Sequence, residues 1–290
     1  MNPTPEIALV VKTRNRGARL APFFEAIRKI ECTFPWELIM VDNGSTDDTA
    51  RHLNAFAAGL PGQVKIVTEP RRGAGYACNA GWRATDAPLI AFTDDDCYPV
   101  PDYLENIQAV FSDPSLGFMG GRILLYDPSD APVTINESQT EQSVNAGTFL
   151  PAGLVNGANM AFRRQALVDV AGFDDAFGPG TPYVTEDTDV GLRALASGWS
   201  GKYDPRPTVY HHHGRKPGKD VEAIYRVYDA GRGAYYLKCF LFMPQRWQCA
   251  WYWLRSARHQ PVATAIREMK SAISYLIHIL KHRPNITYRA

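Results

Sequence analysis

Three consecutive carboxylates, Asp94, Asp95 and Asp96, follow the apolar run PLIAF after Thr93. Like charges at a strand end repel and raise one another's pKa unless a cation neutralises them. The run therefore suits a hard divalent ion, Mn2+ or Mg2+, bridging to phosphate oxygens. Taken alone, it also fits a solvated acidic turn. A second carboxylate, Asp42, ends ELIMVD and is followed by Gly44, Ser45 and Thr46. Asp42 can accept from a base N–H or a ribose hydroxyl, and the glycine lets a backbone approach closely. Helix capping explains Ser45, Thr46 and Asp47 equally well, but it does not require Asp42. A third acidic group, Glu186, Asp187 and Asp189, opens TEDTDVGLRA, where negative charge favours a helix start in any case. His211-His212-His213 closes TVYHHHG; alternate residues of a strand share a face, so His211 and His213 can converge on one site, with His211 preferred. Arg215 and Lys216 follow as phosphate-binding cations or as a solvated charge run.

These groups need a scaffold, and the hydrophobic pattern predicts one. IALVV (7–11), ELIMVD (37–42), VKIVT (64–68) and PLIAFTD (88–94) read as strands. Between them, LAPFFEAIRKI (20–30), DDTARHLNAFAAG (47–59) and YACNAGWRAT (76–85) read as helices. Strand and helix in alternation predict an α/β protein with a mostly parallel sheet covered on both faces, and ligands in such sheets bind at the carboxyl ends of the strands. That rule gathers Thr13 to Arg16, Asp42 to Thr46, Arg71 to Gly75 and Asp94 to Asp96 on one rim. Further on, GFMGGRILLY (117–126) reads as a strand, 127–150 as a polar insertion, and NGANMAFRRQAL (156–167) as a strand turning into a helix. EDTDVGLRALASG (186–198) reads as a helix closed by Gly198, and TVYHHHG (208–214) as a strand.

Composition narrows the function. The 290 residues, 45% hydrophobic and 21% charged, can bury one large core, with or without an appended subdomain. Thirty-one Lys and Arg against 30 Asp and Glu leave a net charge of +1, which gives no basis for a nucleic-acid partner. The five cysteines form no C-x-x-C pair, which argues against a disulfide framework and a thiolate zinc site and favours a reducing cytoplasm. The N-terminal segment lacks the features of a signal peptide, and no apolar run is long enough to span a membrane. Gly73-Ala74-Gly75-Tyr76-Ala77-Cys78 approaches a dinucleotide fingerprint, but its sixth position is Cys and no acidic residue marks the next strand, so a nicotinamide cofactor is not expected.

Taken in order, KTRNR, VDNGSTDDT, RRGAGYACNAG, IAFTDDDCYPVPDYL, NGANMAFRR, GFDDAF, TEDTDVGLRALASGW and PRPTVYHHH resemble the inverting nucleotide-sugar glycosyltransferases of family 2, which have the GT-A fold. The likeness runs over roughly residues 7–215. It implies a Rossmann-like, mostly parallel sheet in a catalytic domain of residues 1–220, with a nucleotide-binding half at about 1–97 and an acceptor half at about 98–220. Residues 221–290 would be a helical C-terminal extension.

The resemblance also implies roles. Thr13, Arg14, Asn15 and Arg16 would cradle the nucleotide, although Lys12 stands where the family commonly has Pro. Asp42 would read the base, and Arg71 or Arg72, with Gly73 and Asn79, would lie along the ribose and diphosphate. Asp94 would lie nearer the ribose, Asp96 would hold the metal with Asp94 and His211, and Asp95 would touch the donor sugar. Gly157 and Asn159 would form the donor-sugar and acceptor wall. Asp187, paired with Glu186, would deprotonate the acceptor hydroxyl. The implied partners are a nucleotide-diphosphate sugar, with UDP favoured, and a saccharide or lipid-linked acceptor in polysaccharide, glycolipid or glycan synthesis.

After residue 221 aromatic and basic residues interleave, as in YYLKCFLF and WQCAWYWLR, which suits either an interfacial helix or packing onto the catalytic domain. Two other functions compete with sugar transfer. A sugar-phosphate nucleotidyltransferase would carry a Gly-rich basic loop after the first strand, and KTRNRG does not supply one. A silent binding module would be expected to have lost Asp96 or Asp187, and both are present.

Overall fold

The computed structural model describes residues 4–60 and 62–282. The expected C-terminal extension therefore has its last eight residues outside the described ones. The strands are β1 (Ile7–Thr13), β2 (Trp36–Asp42), β3 (Val64–Thr68), β4 (Leu89–Asp94), β5 (Cys97–Pro99), β6 (Leu116–Leu125), β7 (Gln142–Val144), β8 (Asn159–Arg163) and β9 (Ser200–His211). The helices are α1 (Ala21–Ile27), α2 (Thr49–Ala58), α3 (Ala74–Arg83), α4 (Tyr103–Val110), α5 (Arg164–Asp169), α6 (Glu186–Ala196), α7 (Lys219–Phe242), α8 (Arg246–His259) and α9 (Val262–His282).

One sheet runs β3-β2-β1-β4-β8-β6-β9-β5, with β7 added against β9. The block β3-β2-β1-β4 is parallel, as its alternating strands and helices predict, and β6 and β9 are parallel again. β8 runs antiparallel between β4 and β6. Alternation along β1 explains why the strand is apolar throughout. Ala8 and Val10 face a core built with α3, α6 and α7, while Ile7, Leu9 and Val11 face a second core built with α1, α2 and α4. A strand covered on both faces has no polar side to show.

β9 begins eight residues before the predicted Thr208. The part before Thr208 carries two prolines, and the register of β9 against β6 shifts between Gly121 and Arg122. At that point the carboxylate of the fully buried Asp204 takes paired hydrogen bonds from the Arg206 guanidinium. The insertion 127–150 contributes β7 and buries Phe149 and Leu150.

The C-terminal helices continue the first core. Ala234, Tyr235 and Cys239 of α7, Cys249 of α8, and Tyr275 and Ile279 of α9 belong to the cluster that contains β1 and β4. The buried Lys238 ammonium lies 2.6 Å from Asp174 and 2.5 Å from Asp189, and Asp189 also pairs with Arg193 at 2.8 Å. Two glycines permit this fit. A β-carbon at Gly231 would stand 1.8 Å from the Val184 carbonyl oxygen, and one at Gly233 would stand 2.0 Å from that of Glu268. α7 is thus pressed between the segment before α6 and helix α9. No described helix is long and apolar enough to cross a membrane.

Candidate active site

A cleft of about 940 Å³ opens over the carboxyl ends of β1 and β4, as expected for a sheet of this type. Strand register assembles its floor. Lys12 lies opposite Asp94 on the neighbouring strand, Thr13 opposite Asp42, and Cys97 of β5 opposite His211 of β9. Two stretches more than a hundred residues apart in sequence are thereby joined at one acidic cluster.

Ligand atoms of Asp94, Asp96, Cys97 and His211 lie within 4.8 Å of one another. Lys12 Nζ donates to Asp94. Arg16 spans the other two carboxylates, with Nε 2.9 Å from Asp95 and a terminal nitrogen 2.6 Å from Asp96. Burial pushes the Asp95 carboxyl up to about 6, against the pull of Arg16. Burial acts on Asp96 in the same sense, but His211, 3.5 Å away, and Arg16 outweigh it and hold that carboxyl well below its usual range. The Cys97 thiol is driven well up by burial and stays protonated. The donors left are two carboxylates and an imidazole, which fit a hard divalent ion better than a thiolate metal site.

The first turn of α6 supplies the second acidic pair. Asp187 accepts from the Gly157 amide on Oδ2 at 2.9 Å and from the Thr188 amide on Oδ1 at 2.6 Å. Burial raises the carboxyl pKa of both Glu186 and Asp187, and the Asp187 charge raises Glu186 further. The two carboxyls therefore bind a proton more readily than free carboxylates do, and Glu186 is pushed up to about 8. Lys12 is close enough to Glu186 to be stabilised by it as well as by Asp94. Although burial alone would lower its pKa, the ammonium is held above its usual range.

Of the residues expected at the site, Thr13, Arg14, Asn15, Arg16, Arg72, Asp94, Asp95, Asp96, Gly157, Glu186, Asp187 and His211 line this cleft. Asp42, Arg71, Gly73, Asn79 and Asn159 do not, and other bonds occupy most of them. Asp42 accepts from the Ser45 amide at 2.9 Å, and it is the adjacent Asn43 that lines the cleft. Arg71 forks onto Glu69 and stacks 4.4 Å from the Tyr76 ring. Gly73 precedes α3 with φ of 145° and donates its amide to Asn43. Asn79 bonds Phe173, Asp175 and Trp82, tying α3 to the segment 173–175. Asn159 is fully buried, donates to the carbonyls of Arg122 and Pro207 and accepts from Tyr103. His213 turns from the cleft toward Asp130, 3.8 Å away.

The sequence reading did not pick out Lys12 as a floor residue, nor Ile224, Val227, Tyr228 and Arg232, which bring α7 to the cleft as a side wall. Tyr228 lies near Asp187, Asp94 and Glu186, and burial pushes its phenol up to about 12. Lys12 had a signal: a lone lysine ends an otherwise apolar strand. The α7 residues had none, since their pattern reads as an ordinary surface helix.

Known proteins agree with this architecture. The O-antigen chain rhamnosyltransferase WbaN of Salmonella anatum is 25% identical over 238 residues, 78% of this chain and 71% of its own length. The N-acetylglucosaminyl-diphospho-decaprenol L-rhamnosyltransferase of Mycobacterium tuberculosis is 25% identical over 254 residues, 75% of this chain and 79% of its own. Among solved structures, the mannosyltransferase PcManGT of Pyrobaculum calidifontis, in complex with GDP-Man and Mn2+, superposes with a TM-score of 0.65 at 19% identity, over 97% of this chain and 76% of that one. S. aureus TarS 1-349 with UDP-GlcNAc gives 0.60 at 14% identity, over 97% and 74%. These likenesses establish the GT-A fold. The model of glycosyl transferase family 2 matches residues 8–170, more than half of the chain. With the family's sheet, its acidic strand end and its match over that length, the chain belongs to glycosyl transferase family 2 and is a glycosyltransferase.

Proposed function

We propose that this enzyme transfers a sugar from a nucleoside-diphosphate donor to an acceptor hydroxyl with inversion at the anomeric carbon, and that Asp187 is the general base. One observation carries the reading: a single cleft holds a carboxylate–imidazole cluster suited to a metal-bound diphosphate and a separate carboxylate pair whose Asp187 is held by two backbone amides. Asp96 and His211, with Asp94, would hold Mn2+ or Mg2+, whose charge would offset that building on the departing diphosphate. Arg14, Arg16 and Arg72 line the cleft as further cations for the phosphates, and Thr13 and Asn15 border the nucleotide.

In the transfer step the acceptor oxygen bonds to the anomeric carbon as the bond to the diphosphate oxygen breaks. The acceptor proton passes to Asp187, and the diphosphate leaves with the bonding electron pair. The amides of Gly157 and Thr188 fix the Asp187 carboxylate in place for that proton. Glu186, pushed up to about 8, limits negative charge beside it, and Tyr228 offers a donor toward the acceptor. Residues 1–220 form the catalytic unit of this reading, and the helices that follow form an extension that contributes the α7 wall.

The donor nucleotide favoured from the sequence is UDP. Both curated relatives described above are named as rhamnosyltransferases, one for an O-antigen chain and one acting on a diphospho-decaprenol acceptor. They favour a nucleoside-diphosphate rhamnose and a lipid-diphosphate-linked acceptor; the cysteine usage of the chain favours the cytoplasmic side for the reaction. Turnover of a panel of nucleotide sugars with a lipid-diphosphate acceptor tests the reading. A product with the donor's anomeric configuration retained, read by NMR, would refute it.

A further inference from the structure

We infer that the outward faces of α8 and α9 form a docking surface for anionic phospholipid. On α9, Val262, Ile266, Met269, Ile273, Leu276 and Leu280 recur at alternating spacings of four and three, and all are exposed. Such spacing puts them on one stripe of the helix. The stripe that carries Glu268, Tyr275 and Ile279 is instead buried against the body of the protein. Among the described residues, nothing covers the outer stripe. On α8, Trp247, Trp251 and Leu254 are likewise exposed, at helical spacing.

Charge decides between lipid and a second copy of the chain as the occupant. From Arg246 to His282 the only carboxylate is Glu268, which is fully buried and accepts from Arg232, Trp253 and Gln260. The exposed charges on α8 and α9 include Arg246, Arg255, Arg258, Lys270 and Lys281, all cationic. A second copy would bring the same unmatched cations against them and would gain no partner for any. An anionic bilayer surface pairs with each of them, and the aliphatic stripe and the tryptophans enter the region between headgroups and acyl chains. Arg255 already rests over the Trp251 ring, 5.2 Å from its centroid, an arrangement that keeps the charge beside an apolar body at a wet boundary.

The surface is coupled to the cleft. α9 and α8 rest on α7, through Glu268–Arg232 and through packing along its length, and α7 lends Tyr228 and Val227 to the cleft wall. Docking would therefore hold the cleft at a fixed attitude to the bilayer. The inference rests on the helix faces and is independent of which residues catalyse transfer, so either reading can fail alone.

Co-sedimentation of the full chain with vesicles tests it, using phosphatidylcholine alone or mixed with phosphatidylglycerol, at low and high salt. Binding is expected to the mixed vesicles and to weaken at high salt. The triple variant R255Q/R258Q/K270Q should partition on the order of 10²-fold less, roughly fivefold per cation lost. I266Q/I273Q, which keeps every charge, should also bind more weakly. Circular dichroism melts confirm that each variant is folded, and the two sets disturb different exposed positions. Absence of binding, or equal binding to neutral and anionic vesicles, overturns the proposal. A concentration-dependent dimer by light scattering without vesicle binding overturns it in favour of a second copy.

Discussion

Replacing Asp187 by Asn separates catalysis from architecture, and the geometry sets the size of both effects. Each carboxylate oxygen of Asp187 accepts one backbone amide, Gly157 on one side and Thr188 on the other. Asparagine has a single acceptor oxygen, so its NH2 must face one of those N–H groups and leave that donor unmet. An unmet buried donor costs about 1–3 kcal/mol. At ~2–4 °C per kcal/mol for a domain of a few hundred residues, the melting temperature should drop by several degrees. The variant therefore remains folded at assay temperature, and this cost does not enter kcat. The chemical loss is separate: without the base, kcat should fall by ~10²–10⁴, the span of general-base catalysis. Steady-state kinetics, calorimetric affinity for the nucleotide and a thermal melt measured on one preparation distinguish the two. Near-normal kcat beside the expected loss of melting temperature would remove Asp187 from the mechanism. A tenfold weaker nucleotide affinity with unchanged kcat would make it a binding residue.

Asp96→Ala should weaken nucleoside-diphosphate binding in Mn2+ by at least ~10-fold, and EDTA should do the same to the unaltered chain, because an unneutralised acidic cluster repels the diphosphate; equal calorimetric affinity with and without EDTA counts against the metal. Glu186→Gln tests the raised carboxyl by stability. A folded-state pKa above its unfolded value means that the folded chain binds the extra proton, so stability is lost as pH rises from the ordinary carboxylate range to the raised value. The unaltered chain should thus lose melting temperature between mildly acidic and mildly alkaline pH, and Glu186→Gln should lose less; parallel curves would disprove the shift. Lys238→Met removes the cation between Asp174 and Asp189 and should cost about 3–5 kcal/mol, as breaking a buried ion pair does. A chemical-denaturation midpoint within error of the unaltered chain's would show that the cluster is not under that load.

Much of the scaffold was readable because its cause is local. β1 to β4 are short apolar runs ending in polar residues, and their alternation with amphipathic segments dictates a parallel block with its ligands at one edge. The acidic strand end, the Glu186–Asp187 turn and His211 were legible for the same reason: each chemical group sits at the end of an element. What escaped depends on direction and on distant partners. Asn79 and Asn159 have the side chains of ligand-binding residues, yet the Phe173 carbonyl and the Asp175 carboxylate take the donors of Asn79 and two carbonyls those of Asn159, and no pattern around either residue announces those acceptors. Arg71 and Arg72 are neighbours of identical type, and only the nearby Glu69 and Tyr76 decide that Arg71 turns away. Tyr228 joins the site across more than forty residues from Asp187, through a helix whose approach is set by two glycines.

Those glycines bear on how the enzyme can be altered. Because Gly231 and Gly233 bring α7 into backbone contact on two sides, the helix has no room to rotate or slide when its cleft-facing residues are changed. Repacking around Ile224 or Tyr228 to admit a different acceptor would act like pushing on one end of a lever whose pivot is the GRG turn of α7. The displacement would be delivered to α9 and to the segment before α6. Acceptor redesign in this chain therefore has to treat α7 and its two neighbours as a single movable part, and chimeras joined at residue 220 would separate a wall from the room it encloses.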